Sequence, residues 1–271
     1  MKERHQGRTT PLGVGVAAVL AVCFFALPFI GLLWRTPWSD LGRVITNDEV
    51  RTALWLSIRT SVASALLSAF FGVPLAWVLA RGRFPGRSFI RALCTVSMVL
   101  PPVVGGVALF FSFGRRGLFG HFLDDWFSFQ LTFTIWGVIV AQTFVAMPFL
   151  VLTVEAAIRQ SDQRFEDAAR TLGASRWYMI RRITLPAVRP ALVAGFVLAW
   201  ARALGEFGAT ITFAGNFPGT TQTISIATFL ALETDPREAL VLSVVMIVVS
   251  FTVLVGLRDR WLGRSNEVGF R

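Results

Sequence analysis

Six apolar stretches divide this chain, at approximately 12–34, 52–80, 88–113, 132–158, 187–213 and 237–258. Each is long enough to cross a bilayer, because a helix needs about 20 residues to traverse the hydrocarbon core. Within that core every backbone N–H and C=O must find a partner in the protein, so only helices or closed barrels can span it. The stretches lack the alternation over about 10 residues that marks a barrel strand. The fold class expected is therefore all-α, a polytopic membrane protein with six transmembrane helices. Stretches two and four exceed the core thickness and are expected to project from it or tilt. Composition agrees, since only 15% of residues are charged, against roughly 25% in a soluble domain.

The formal net charge of +10 invites a nucleic-acid reading, which the placement of the charges excludes. With the N-terminus inside, the inner segments carry Lys2, Arg4, Arg8, Arg81, Arg83, Arg87 and Arg91. They also carry seven arginines between 159 and 189, then Arg258, Arg260, Arg264 and Arg271. The outer segments carry only Arg35, Arg43, Arg51, Arg115, Arg116 and Arg237. An excess of eighteen over six predicts both termini in the cytoplasm and makes the basicity a topology signal. The first stretch resembles a signal peptide in its basic start, but it is too long and no A-x-A site follows it before Trp34. At Leu20-Ala21-Val22-Cys23 a bulky Val22 spoils the lipoprotein pattern. A retained anchor is expected, and residues 1–271 are expected to form a single transmembrane domain without an appended soluble one.

Rare residues exclude several chemistries. Cys23 and Cys94 both fall in apolar stretches, so neither a disulfide framework nor zinc-ligand spacing arises. His5 and His121 fall on opposite sides of the membrane. His121, beside Asp124 and Asp125, reads as a solvated loop and not as part of a catalytic triad. No metal site and no catalytic residue are expected. Lys2 is the only lysine, so the phosphate loop G-x-x-x-x-G-K-[ST] cannot occur. Any ATP energy must come through another polypeptide.

The basic segment 159–186 carries the clearest pattern. Glu166 and Asp167-Ala168-Ala169 are followed after three residues by Gly173, and after nine more by Ile183-Thr184-Leu185-Pro186. Ala168 and Ala169 are small enough for a helix to sit deep in a partner's cleft. Gly173 suits a left-handed helix end, Ser175 an N-cap, and Pro186 the first turn of the next span. Trp177, Tyr178, Ile180 and Ile183 are expected to give the second short helix an apolar face. Arg176, Arg181 and Arg182 are expected to meet acidic groups of a partner or lipid phosphates. The pattern resembles the coupling loop of ABC importer permeases, E-A-A-x3-G-x9-I-x-L-P, with Asp167 where Glu is usual. Glu155-Ala156-Ala157 imitates its start but has Ser161 at the glycine position.

A second stretch extends the resemblance over about residues 50–258. It contains Gly205-Glu206-Phe207-Gly208-Ala209-Thr210 and Ala214-Gly215-Asn216-Phe217-Pro218-Gly219-Thr220-Thr221-Gln222-Thr223. This is similar to the molybdate-type oxyanion branch of those permeases, as is Pro101-Pro102. Sulfate-type relatives tend to carry T-E where Thr221-Gln222 stand here. The resemblance implies a type I importer permease fold and a bacterial or archaeal cytoplasmic membrane. It implies a second permease copy, a homodimer being expected, with two cytoplasmic ABC ATPases that bind ATP and Mg, and an external substrate-binding protein. It also implies alternating access for molybdate or tungstate. A sulfate- or thiosulfate-type permease is the alternative, and a secondary transporter the alternative of a different class. The latter would need an internal ion site, and buried acids other than Glu206 are scarce.

Two charges lie at membrane depth in stretch five. Arg202 and Glu206 stand at i and i+4 on one helical face. Such groups are costly in the bilayer and commonly face a bundle interior or a wet path. Arg202, with Arg59 of stretch two, is a candidate to compensate a passing dianion, and Thr210 and Thr212 to line its path. The bland alternatives are a structural ion pair, a snorkelling Arg59 and threonines bonded to their own helix. Glu155 and Arg159 share the same spacing and are expected to form a surface pair.

Overall fold

A computed structural model describes residues 12–262. The chain begins with α1 (Leu12–Arg35), a 3-10 turn at Trp38–Asp40 and the short α2 (Leu41–Thr46). It continues with α3 (Asp48–Arg81), α4 (Arg87–Val99), α5 (Pro102–Phe113), α6 (Gly120–Phe127) and α7 (Ile135–Gln160). Then come α8 (Arg164–Thr171), α9 (Arg176–Met179), a π turn at Ile180–Thr184 and α10 (Leu185–Ala187). The last elements are α11 (Arg189–Leu204), α12 (Gly208–Ala214), α13 (Ile224–Thr234) and α14 (Pro236–Leu262). No strand occurs among the described residues, and the all-α expectation holds. The terminal residues Lys2, Arg4, His5, Arg8, Arg264 and Arg271 lie outside the described residues, as do the side chains of Arg258 and Arg260.

Four helices are individually long and apolar enough to cross a membrane: Leu12–Arg35, Asp48–Arg81, Ile135–Gln160 and Pro236–Val253. Two of the six expected spans are instead broken. Stretch 88–113 divides into α4 and α5 at Leu100-Pro101. Pro101 lacks the N–H that a continuing helix needs, and a proline also pushes the residue before it out of the α region. Leu100 is extended at φ −60°, ψ 132°. Stretch 187–213 divides into α11 and α12 at Gly205–Phe207. Arg176–Ala187 and Arg189–Leu204 form a bent pair, turned by 74°.

The core forms where α3, α7 and α11 meet. Ala76, Leu79, Ala146, Leu150, Val151, Val154, Ile158, Ala199 and Ala203 form one buried cluster. Alanines alternate with larger aliphatics in it, because bilayer helices gain little from hydrophobicity and associate through close packing. A Cβ on Gly72 would lie 3.0 Å from Leu150 Cδ2, which shows how near α3 approaches α7. Hydroxyls along α3 bond both α7 and α13. Ser64 donates to Gln142 Oε1 at 3.1 Å, and Ser57 accepts from the backbone N–H of Ile224 at 2.8 Å. The helix starts follow local chemistry: Asn47 accepts from Glu49 N–H and Thr134 from Gly137 N–H. At 34 residues α3 is about 51 Å long, against a core of about 30 Å. That length exceeds the core thickness, as expected. None of α1 is buried within the chain.

Candidate functional site

Two regions carry the sequence signals, the loop between α7 and α11 and the break between α11 and α12. The loop is a helix–turn–helix. At the end of α8, Gly173 stands at φ +81°, the left-handed region that glycine enters at no cost. Gly173 N–H donates to Arg170 O and Ala174 N–H to Ala169 O, both at 2.9 Å. These two bonds are the Schellman closure, which satisfies carbonyls left open by α8. Ser175 Oγ accepts from Tyr178 N–H at 3.2 Å and starts α9. Asp167 and Ala168 are exposed and Ala169 is half-buried. Within a single chain, α8 thus presents its small residues outward.

The second helix differs from expectation. Trp177 and Tyr178 are exposed, and Met179 is the residue that turns inward. The short α9 passes directly into a π turn, so Trp177, Tyr178, Ile180 and Ile183 never share one buried face. Ile183 and Leu185 are half-buried and Pro186 is exposed at the start of α10.

Glu166 behaves unlike its neighbour Asp167. It is buried, and its Oε1 accepts from Arg81 Nη2 at 3.1 Å and from Thr184 Oγ1 at 3.1 Å. Arg81 also donates to Ser161 Oγ at 2.8 Å. Glu166 thereby ties the start of α8 to both the end of α3 and the π turn. Glu155 departs further from the expected surface pair. It is 3% exposed, accepts from Arg91 Nε at 3.0 Å, and has Arg159 only at 3.8 Å. Its partner on α4 lies 64 positions away, beyond the reach of spacing rules. Arg81 and Arg91 are the residues that sequence reasoning missed. For Glu155 the cue available was a carboxylate within the apolar α7, while the polar α8 gave no such cue for Glu166.

At the second region, Arg202 Nη1 lies 2.6 Å from Glu206 Oε2, so the i, i+4 pair is present. Glu206 is 1% exposed, and its Oε1 accepts from Ala209 N–H at 2.8 Å. The carboxylate therefore closes the gap between α11 and α12, receiving an open N–H at the start of α12. Glycines bring α12 against α5. A Cβ on Gly106 would lie 2.8 Å from Ala209 O, and one on Gly208 would lie 3.0 Å from Pro102 Cβ. Thr212 Oγ1 donates to Gly208 O at 2.5 Å, within its own helix. Thr210 is fully buried and its hydroxyl has no partner. Gly215 stands at φ +78° with Phe133 and Phe217 rings beside the missing Cβ. After it Asn216, Pro218 and Gln222 form a tight turn, in which the N–H groups of Thr220, Thr221 and Gln222 all donate to Phe217 O.

Arg59 does not join this region. It is exposed on α3, its guanidinium 5.5 Å from the Trp55 ring centre, and it shares no hydrogen bond or ion pair with Arg202 or Glu206. The arrangement therefore comprises one braced loop and one ion-paired break between α11 and α12. No group of three or more His, Cys, Asp or Glu able to hold a metal occurs among the described residues.

Comparison with known proteins bears on both regions. Residues 72–267 match the family model described as binding-protein-dependent transport system inner membrane component. The molybdenum transport system permease protein ModB of Mycobacterium tuberculosis is 41% identical over 256 residues, covering 94% of this chain and 97% of that protein. The sulfate transport system permease protein CysT of Escherichia coli is 34% identical over 250 residues, covering 91% and 90%. Among solved structures, a bacterial ABC transporter that imports the polysaccharide alginate has a chain of the same fold. Its TM-score is 0.72 at 19% identity, covering 94% of this chain and 95% of that one.

Proposed function

Because the chain belongs to the family of binding-protein-dependent transport system inner membrane components, we propose that it is the permease subunit of an ATP-driven importer for molybdate or tungstate. The observation that carries the substrate is the higher identity to the molybdenum permease than to the sulfate permease, over a similar share of the chain. The Thr221-Gln222 pair, where sulfate-type relatives tend to have T-E, points the same way.

The chain lies in a bacterial or archaeal inner membrane with both termini cytoplasmic. It works as a homodimer with two ABC ATPases and an external binding protein. ATP and Mg bind the ATPases, since a chain whose only lysine is Lys2 carries no phosphate loop. The loop around Asp167, Ala168, Ala169 and Gly173 docks into the ATPase. Ile183, Leu185 and Pro186 turn it back toward α11. Glu166 supports docking from below by holding α8 to Arg81 and Thr184. ATPase closure then moves a braced unit that includes α3, and the permease pair alternates between states that each ligand favours differently. At the break, Glu206 sets the joint, while Gly208 lets α12 slide against α5. Arg202, 28% exposed, is the cation nearest to compensate a passing dianion. Phe207, Gly205, Gly215, Asn216, Pro218 and Gln222 shape the segment around it. Arg59 and Thr212 have weaker parts, the first standing apart and the second bonded to its own helix.

Competition uptake decides the substrate. Cells carrying the full importer and its matching binding protein take up labelled molybdate, and unlabelled tungstate should compete far better than sulfate. Equal competition by sulfate would move the assignment to the sulfate type. Uptake that persists when the ATPase is inactivated would make the chain a secondary transporter instead.

A further inference from the structure

At the root of the loop, where the end of α3 meets α8 and the π turn, lie two adjoining hollows of about 420 and about 390 Å³. They share Arg81, Arg83, Glu166 and Arg170 in their walls. Trp77 and Arg176 complete the first, Arg87 and Asp167 the second. Five arginines thus face two carboxylates. Arg81 is paired with Glu166, and Arg170 lies 3.6 Å from Asp167. Arg87 donates to the carbonyl oxygens of Ala80 and Gly82. Arg83 and Arg176 have no carboxylate partner among the described residues.

The N–H groups sharpen this imbalance. The Arg81 side chain is only 9% exposed, and Nη2 alone serves Glu166 and Ser161. Its Nε and Nη1 are buried with no acceptor, as are Arg87 Nε and Trp77 Nε1. Buried polar groups in native proteins are nearly always satisfied, so each exception needs a physical account. All four orphans here are donors, and they gather where positive charge is in excess. The complement of such a set is a small anion with several oxygens. A guanidinium fork matches the oxygens of a phosphate-like group in pairs.

We infer that this hollow binds a phosphate-like tetrahedral oxyanion, set beside Arg81 and enclosed by Arg83 and Arg176. Two sources supply that chemistry. One is the headgroup of an anionic phospholipid, because α3 ends here and Trp77 has the amphipathic ring that sits at bilayer interfaces. The other is a free oxyanion in solution. In either case the bound group braces the end of α3 against α8 and α9, so occupancy stiffens the loop that the permease presents.

The test uses the full chain copurified with its ATPase and measures thermal midpoint. One arm titrates inorganic phosphate against chloride at equal ionic strength. The other compares nanodiscs of phosphatidylcholine with and without phosphatidylglycerol. Ligand at about 100 times Kd should raise the midpoint by about 5 °C. A rise with phosphate identifies the free anion, and a rise with phosphatidylglycerol alone identifies the headgroup. The double variant Arg83→Gln, Arg176→Gln should lose at least about half the rise, while the control Arg116→Gln keeps it. The pair Arg83→Lys, Arg176→Lys should recover most of it, which separates lost binding from misfolding. No rise in either arm, or an undiminished rise in the Gln variant, overturns the site. The readout is binding and not uptake, so its failure leaves the transport function standing, and a failed uptake assignment leaves this site standing.

Discussion

The loop root and the α11–α12 break use the same device for different ends. Each buries a glutamate against an arginine and gives the carboxylate a second donor, Thr184 Oγ1 at the root and Ala209 N–H at the break. The root pair joins residues 85 positions apart, Arg81 and Glu166. The break pair joins residues at i and i+4. A pair between distant elements fastens one rigid body to another and can carry force. A local pair fixes the shape of one joint and leaves the joint free to move as a unit. On the proposed function, the root would carry mechanical coupling and the break would carry gating.

The largest effect should come from severing the loop. Gly173→Pro requires φ near −65° where the chain stands at +81°, and it removes the N–H bonded to Arg170 O. Uptake should fall to background and the ATPase should no longer copurify, while membrane insertion persists. Ala169→Glu should do the same by placing a bulky charge on the docking face. Normal coupling in either variant would remove the loop from the mechanism.

The next experiment breaks each pair. Glu166→Ala leaves the buried Arg81 guanidinium without its carboxylate, a loss of about 3–5 kcal/mol by analogy with severed buried pairs. Glu206→Ala removes a cap and frees an Arg202 that can still reach water, a loss of about 1–2 kcal/mol. The thermal midpoint should drop further for Glu166→Ala, and only that variant should uncouple ATP hydrolysis from uptake. Glu206→Ala should slow transport with the coupling ratio intact. The reverse order would show that the local pair is the mechanical one.

What sequence can reveal follows the same division. The turn at Gly173 and the cap at Ser175 were readable because each is decided within a few residues. The Arg202–Glu206 pair was readable because helical spacing sets it. Arg81–Glu166 and Arg91–Glu155 were not, since each partner is brought in by the packing of α3 or α4 on α7. Pro101-Pro102 was visible as a motif, yet its role as a break in the third stretch needed the backbone. The outward turn of Trp177 and Tyr178 was missed because the π turn shifts the register after only four residues of α9. The fold class and the helix–turn–helix of the motif were therefore legible, while the bracing beneath the motif was not.

A smaller effect tests whether the break slides. Gly106→Ala would place its Cβ 2.8 Å from Ala209 O and Thr212 Cβ, closer than side chains tolerate. Overpacking of this kind costs about 1–3 kcal/mol, so α5 and α12 must separate slightly. Uptake should slow by about tenfold, with insertion and ATPase copurification unchanged. Unaltered uptake would mean that α12 does not depend on close contact with α5.

The smallest effect distinguishes two threonines on one short helix. Thr212 donates to Gly208 O in the preceding turn, a bond that a hydroxyl makes to its own backbone wherever no better acceptor is near. Thr212→Val keeps the shape and frees a carbonyl that already serves the helix, so uptake should change by less than about twofold. Thr210 is fully buried with no partner for its hydroxyl. Thr210→Val removes an unsatisfied group, which at rest should raise the thermal midpoint slightly, because a buried hydroxyl without a bond costs about 1–3 kcal/mol. If that hydroxyl finds its partner only when the break moves or an oxyanion passes, the same variant should lose several-fold in uptake while gaining stability. Gain of stability without loss of uptake would assign Thr210 to packing alone and leave Arg202 as the polar group of the path.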